Sequence, residues 1–290
     1  MAFDFAITPI TAPITLTARW SERLALGQWV ANRRADMISG FSVDYGNGRW
    51  VVVGANGDMT HSEDGINWVG IPRGNDGSTF DFLHIRGVAH GNDRWVAVGY
   101  SGRMAHSENG IDWIAIPAGS AGSTFTGNIS GVAYGNGKWV AVGASGRMAH
   151  SENGIYWIEI PAGDAGSTFT GNINGVAYGN GRWVAVGANG RIAHSEGGIY
   201  WIAIPSGDAG STFTGNINGV VYGNGRWVAF GAGGRMAHSE NGIDWMAIPS
   251  GSAGSTFTNI VYGVAHGGDG DGGGRWVAVG AWGDRAYLDN

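Results

Sequence analysis

Asn174-Gly175-Val176-Ala177-Tyr178-Gly179-Asn180-Gly181-Arg182-Trp183-Val184-Ala185-Val186-Gly187-Ala188-Asn189-Gly190-Arg191-Ile192-Ala193-His194-Ser195-Glu196-Gly197-Gly198-Ile199-Tyr200-Trp201-Ile202-Ala203-Ile204-Pro205 is one turn of the pattern that decides the fold. Gly175–Tyr178 reads as a short strand, and Gly179-Asn180-Gly181 as a hairpin turn whose residues tolerate positive φ. Arg182–Val186 is a second, almost wholly apolar strand, and Ala188-Asn189-Gly190 turns again. Arg191–His194 is a third strand, Ser195–Gly198 a third turn, and Ile199–Ile204 a fourth strand stopped by Pro205. Four short strands joined by tight turns make one antiparallel sheet.

The unit recurs along the chain. An Arg/Lys-Trp pair stands at Trp50, Trp95, Trp139, Trp183, Trp227 and Trp276, at intervals of 45, 44, 44, 44 and 49 residues. A second tryptophan follows at Trp68, Trp113, Trp157, Trp201 and Trp245. Four strands in a period of 40 to 50 residues predict the blades of a β-propeller. The second strand is apolar on both faces, so a blade needs a neighbour on each side. The fold expected is all-β: a six-bladed propeller of four-stranded antiparallel blades. The sixth unit stops after its third strand, Arg285–Leu288. Gln28-Trp29-Val30-Ala31 resembles Asp112-Trp113-Ile114-Ala115, so an N-terminal strand is expected to complete the sixth blade and close the ring. Trp20 is the alternative tryptophan for that strand. Residues 20–290 then form the propeller and residues 1–19, β-branched and proline-interrupted, an extended arm.

Composition narrows the function. The 290 residues include 55 glycines, 14 tryptophans and no cysteine, and the net charge is −6. So many aromatics argue for a folded chain with many turns. The absence of basic clusters argues against nucleic acid as a partner, and no apolar run is long enough to span a membrane. No disulfide or thiolate site is possible. The N-terminus lacks the pattern of a standard secretory signal.

Ser107-Glu108-Asn109-Gly110-Ile111-Asp112-Trp113 resembles the Asp-box of bacterial-neuraminidase-type repeats, Ser-x-Asp-x-Gly-x-Thr-Trp, shortened by one residue. It recurs from Ser62, Ser151, Ser195 and Ser239, with Asp64, Asn109, Asn153 and Asn241 at the Asx position and Gly197 departing from it. The wider pattern, Tyr-Gly-Asn-Gly-Arg-Trp-Val-Ala-Val-Gly followed by Ser-Glu-Asn-Gly-Ile-x-Trp, resembles repeats of bacterial and phage-encoded propellers and of the photosystem II assembly-factor type. The resemblance covers residues 41 to 290. It implies a structural role for these turns, serine and Asx binding the turn backbone while tryptophan packs below.

Chemistry-bearing residues repeat with the blades. Arg103, Arg147, Arg191 and Arg235 share one position, and His61, His106, His150, His194 and His238 another. A catalytic centre needs different groups at one place, so no catalytic residue, metal site or cofactor is expected. Asp269-Gly270-Asp271-Gly272-Gly273 lacks the glutamate and spacing of a calcium loop and reads as a hairpin insertion. The inter-blade links carry a Thr-Phe-Thr tract: Thr124, Phe125 and Thr126; Thr168, Phe169 and Thr170; Thr212, Phe213 and Thr214; with Phe80 and Phe257 in the outer copies. These phenylalanines either plug the gaps between blades or form repeated sugar pockets by aromatic stacking. The function expected is non-enzymatic: a binding or structural propeller, a phage-tail or similar particle component that contacts a host surface or scaffolds the assembly. Its partners would be other subunits, through the arm, and host-surface glycans, and its place the virion or the extracellular space, with the cytoplasm still open. A free multivalent lectin is the alternative, and a glycoside hydrolase is disfavoured by the symmetry.

Overall fold

The computed structural model describes residues 38–72, 80, 82–117, 125–161, 169–205, 213–248, 257, 259–268, 274–280 and 285–289. The arm at 1–19, the closing strand at Trp20 or Trp29, and the insertion at 269–273 lie outside them. Sheet one is β1 (Gly40–Gly46), β2 (Arg49–Gly54), β3 (Met59–Ser62) and β4 (Val69–Gly70). Sheet two is β5 (Ile85–Gly91), β6 (Arg94–Gly99), β7 (Met104–Ser107) and β8 (Ile114–Ile116). Sheet three is β9 (Ile129–Gly135), β10 (Lys138–Gly143), β11 (Met148–Ser151) and β12 (Ile158–Ile160). Sheet four is β13 (Ile173–Gly179), β14 (Arg182–Gly187), β15 (Ile192–Ser195) and β16 (Ile202–Ile204). Sheet five is β17 (Ile217–Gly223), β18 (Arg226–Gly231), β19 (Met236–Ser239) and β20 (Met246–Ile248). Sheet six holds three strands, β21 (Val261–Gly268), β22 (Gly274–Gly280) and β23 (Arg285–Asp289).

All pairings are antiparallel between strands consecutive in sequence. This gives five full blades and a partial sixth. The fourth strand of each blade is shorter than its sequence suggests. Ile199, Tyr200 and Trp201 belong to the preceding turn, and β16 begins only at Ile202. In the equivalent turns of other blades an Asx oxygen takes the amides of the first two such residues before they can pair, as described below.

First strands of successive sheets lie side by side. Their approach is close because the facing positions are glycine: a Cβ on Gly175 would stand 3.2 Å from the Gly219 Cα. The core is a series of junctions, each filled by the same side chains. Between sheets two and three, Val96 and Val98 of β6 meet Trp139 and Ala141 of β10, with Phe125 and Trp157 at the ends. The next junction repeats this with Val140, Val142, Trp183, Ala185, Phe169 and Trp201. The apolar run of strand two thus splits into two faces, one for each neighbour, which is why it does not alternate with polar residues. Sheet one departs from the rule. Its face toward the preceding position is open: Val43 is 54%, Tyr45 50% and Trp50 37% exposed, whereas Trp95 and Trp139 are at 0%.

Candidate functional site

The recurrent turn after strand three is built by its serine and Asx. Asp64 Oδ1 accepts from the Ile66 and Asn67 backbone N–H groups at 2.8 and 2.7 Å and from the Ser62 hydroxyl at 2.9 Å. Ser62 Oγ in turn accepts from Gly65 N–H at 2.9 Å, and the Trp68 indole donates to Gly65 O at 3.2 Å. The backbone donors from Asn67 and Ile66 hold the Asp64 carboxyl well below the usual carboxylate range. Asn109, Asn153 and Asn241 do the same work with a neutral amide oxygen. Ser107, Ser151, Ser195 and Ser239 are buried beneath their turns. These turns use their polar groups internally.

Gly197 is the exception. Ser195 and Trp201 keep their bonds to the Gly198 N–H and Gly198 O, but nothing occupies the Asx role. Gly197 is exposed, its φ is not in the left-handed region, and a Cβ there meets nothing within 4 Å. Gly197→Asn is therefore expected to add two backbone hydrogen bonds and to stiffen the unfolded chain. The gain is about 1 kcal/mol, a rise in Tm of roughly 2–4 °C. An unchanged or lower Tm in calorimetry would contradict this reading of the turn.

The inter-blade phenylalanines point inward. Phe80, Phe125, Phe169, Phe213 and Phe257 are 2–5% exposed and sit in the junction cores. As folded, these rings offer no stacking face to a sugar. Thr126, Thr170 and Thr214 are exposed. Thr124, Thr168 and Thr212 lie outside the described residues.

The repeated histidines lie on strand three. Burial first, and then the neighbouring cations Arg49, Arg94, Lys138, Arg182 and Arg226, hold His61, His106, His150, His194 and His238 below the ordinary value. Each has a buried Nδ1 without a hydrogen-bond partner. Burial likewise lowers His90. The unfolded chain regains a value of about 6.5 and binds protons that the folded chain refuses. This contribution to stability is complete above that pH and is lost as the pH falls through the lowered folded values. Tm is expected to drop steadily from pH 7 to pH 5, and less steeply in His150→Gln. A flat profile would contradict the assignment. Asp44, raised by burial, acts in the opposite sense but is one group against six.

Three arginines of the Arg-Trp pairs, Arg49, Arg94 and Arg182, have a role the repeat pattern did not reveal. Arg49 donates to Asn109 O of the next sheet's turn. Arg94 reaches Asn153 O and Arg182 reaches Asn241 O, both at 2.5 Å. Arg147, at the other repeated arginine position, pairs with Glu159 at 2.8 Å.

One place breaks the repeat. Between sheets one and two, Phe41, His84, Arg86 and Tyr100 come together. The Phe41 and His84 rings are 5.4 Å apart edge to face, and His84 and Tyr100 5.0 Å. The Arg86 guanidinium carbon lies 5.1 Å from the Phe41 ring centre and 5.9 Å from that of Tyr100. The signal was in the sequence, though only column by column. Tyr100 stands where the other turns have Ala55, Ala144, Ala188 and Ala232, and His84 where later copies have Asn128, Asn172 and Asn216. Among the described residues no His, Asp and Glu side chains group to hold a metal ion. No helix there is long and apolar enough to cross a membrane.

The fold and its repeating junctions define a β-propeller, and comparison with solved structures agrees. YCF48 bound to D1 peptide matches with a TM-score of 0.60 at 15% identity, covering 87% of this chain and 82% of that one. YCF48 from Cyanidioschyzon merolae matches with a TM-score of 0.60 at 15% identity, over 89% and 87% of the two chains. The WD40 β-propeller domain of Doa1 matches at 0.59 and 10% identity, over 85% and 77%. At these identities the likeness is one of fold. No protein-family profile and no curated protein sequence matches the chain.

Proposed function

We propose that this chain is a non-enzymatic binding scaffold. The observation that carries the reading is the use to which the repeated polar residues are put. Serines and Asx residues close turns, and arginines staple one sheet to the next. Groups repeated in this way stand at separate places around the fold, whereas catalysis needs unlike groups converging on one centre. A propeller neighbour whose described state is peptide-bound supports a binding role by analogy of fold. The finer reading is a component of a phage tail or similar particle, attached through residues 1–19 and presenting the propeller to a host surface. Cross-linking of the native particle followed by mass spectrometry tests it. Residues 1–19 are expected to link to other subunits, and deleting them is expected to release a folded propeller. Glycan binding by the isolated chain that survives the deletion would favour a free lectin. Glycoside hydrolysis lost on changing one unrepeated carboxylate would overturn the scaffold reading.

We also infer that the ring closes between sheets six and one. Sheet six carries Val277 and Val279, in the columns of Val96 and Val98 and of Val140 and Val142, which face the next sheet at the junctions after sheets two and three. Sheet one presents the matching open face of Val43, Tyr45 and Trp50. The strand that would complete sheet six lies outside the described residues.

A further inference from the structure

The departures at the first junction are concerted. In later copies the residue opening the next blade is asparagine, whose Oδ1 accepts a backbone N–H from the preceding turn, as Asn128 does from Ser101 at 3.1 Å. His84 keeps that bond with Nδ1, accepting from Asn56 N–H at 3.2 Å. The bond fixes the ring and its Nε2–H tautomer. The change to histidine thus preserves the fold and adds an oriented aromatic edge. Two residues on, Asn174 and Asn218 reach forward to carbonyls of the next sheet, Ile217 O and Val261 O. Arg86, in their column, instead lies against Phe41 of the preceding sheet and Tyr100 of its own. Arg86 is exposed and makes no ion pair among the described residues. Phe41 is 44% exposed. The link leading in is one residue longer than in the next copies and holds Phe82 at φ 63, 70% exposed. An aromatic residue in the left-handed region is uncommon and costly.

A guanidinium lying against two rings is preorganised, and its N–H edge makes no ion pair among the described residues. That edge matches a carboxylate bidentately, and the rings beside it form an apolar wall for an adjoining side chain. We propose that Phe41, His84, Arg86 and Tyr100 form a single-copy site for the C-terminal carboxylate of a peptide with an apolar last residue. This rests on the scaffold reading and names what the scaffold holds. The later junctions offer no such site, because the columns of Arg86 and Tyr100 there hold Ser130, Asn174 or Asn218 and Ala144, Ala188 or Ala232.

The test uses the full chain and a library of peptides with random, free C-termini. Selected peptides, measured by fluorescence anisotropy, are expected to weaken at least ~10-fold on C-terminal amidation and ~10-fold with Arg86→Ala. Tyr100→Ala restores the residue of four other copies, so the fold is expected to be unperturbed while binding weakens several-fold. Tm of each variant, unchanged, separates a lost site from a lost fold. No selected peptide, or peptides indifferent to amidation, would overturn the proposal. Inorganic phosphate competing as well as acetate-capped short peptides with free carboxylates would overturn the carboxylate assignment. Peptides that bind but ignore Arg86→Ala would overturn this site and leave the scaffold reading standing; glycoside hydrolysis would sink the latter instead.

Discussion

Trp139→Ala is expected to destabilise the protein by about 3–5 kcal/mol, the range for removing a large buried aromatic. Its indole is fully enclosed between Val96 and Val98 of sheet two and its own sheet, and it meets the Tyr134 ring at a tilt of 55° with ring centres 4.9 Å apart. The void left behind cannot collapse, because the backbones around it are fixed by ladders on both sides and by the Arg94 staple to Asn153 O. For a chain of this size the loss lowers Tm by roughly 10 °C, measurable by calorimetry or urea unfolding. Trp50 occupies the same position in sheet one. The closure proposed between sheets six and one would cover it, so Trp50→Ala is expected to cost as much as Trp139→Ala. A cost near ~1 kcal/mol, in keeping with a side chain left partly in water, would mean that the face stays open and would overturn closure.

Much of this was legible from spacing alone. The tryptophan period marked out the five full blades and the partial sixth, and the apolar run at Trp183–Val186 announced a strand buried on both faces. The early end of the sixth unit matched a sheet of three strands. What spacing could not show was where a side chain goes when it leaves its own sheet. Ile199–Trp201 look like strand residues because they are apolar, yet in the equivalent turns the Asx oxygen takes their amides first. The Thr-Phe-Thr tracts left two places open for their rings, a plug between blades or a repeated pocket, and the rings are found in the junctions, where unfilled apolar volume lies. The Arg-Trp arginine looks like a surface charge until the next sheet's carbonyl is placed beside it. The conspicuous irregularities in the sequence are the arm, the links and the glycine-rich insertion. The single-copy cluster at Arg86 arose from small departures inside otherwise regular columns.

Gly146→Ala is the second large effect expected. Gly146 ends the turn after β10 at φ +73°, following Ser145 at φ 59°. Forcing an L-residue into that region costs about 1–2 kcal/mol. The greater penalty is contact: a Cβ on Gly146 would overlap the carbonyl oxygen of Phe169. That carbonyl is backbone and cannot swing aside. To make room the link must lift, and the Phe169 ring with it, from a core where it is 4% exposed. Overpacking of this kind adds about 1–3 kcal/mol, so the total is about 3 kcal/mol. Gly181→Ala provides the control. It has nearly the same φ, +75°, and nothing within 4 Å of the added carbon, so it is expected to show the conformational cost alone, about 1–2 kcal/mol. Urea unfolding of the two variants side by side measures the difference. Equal losses would show that the Phe169 link is free to move, and the plug between sheets three and four would then be loose in solution.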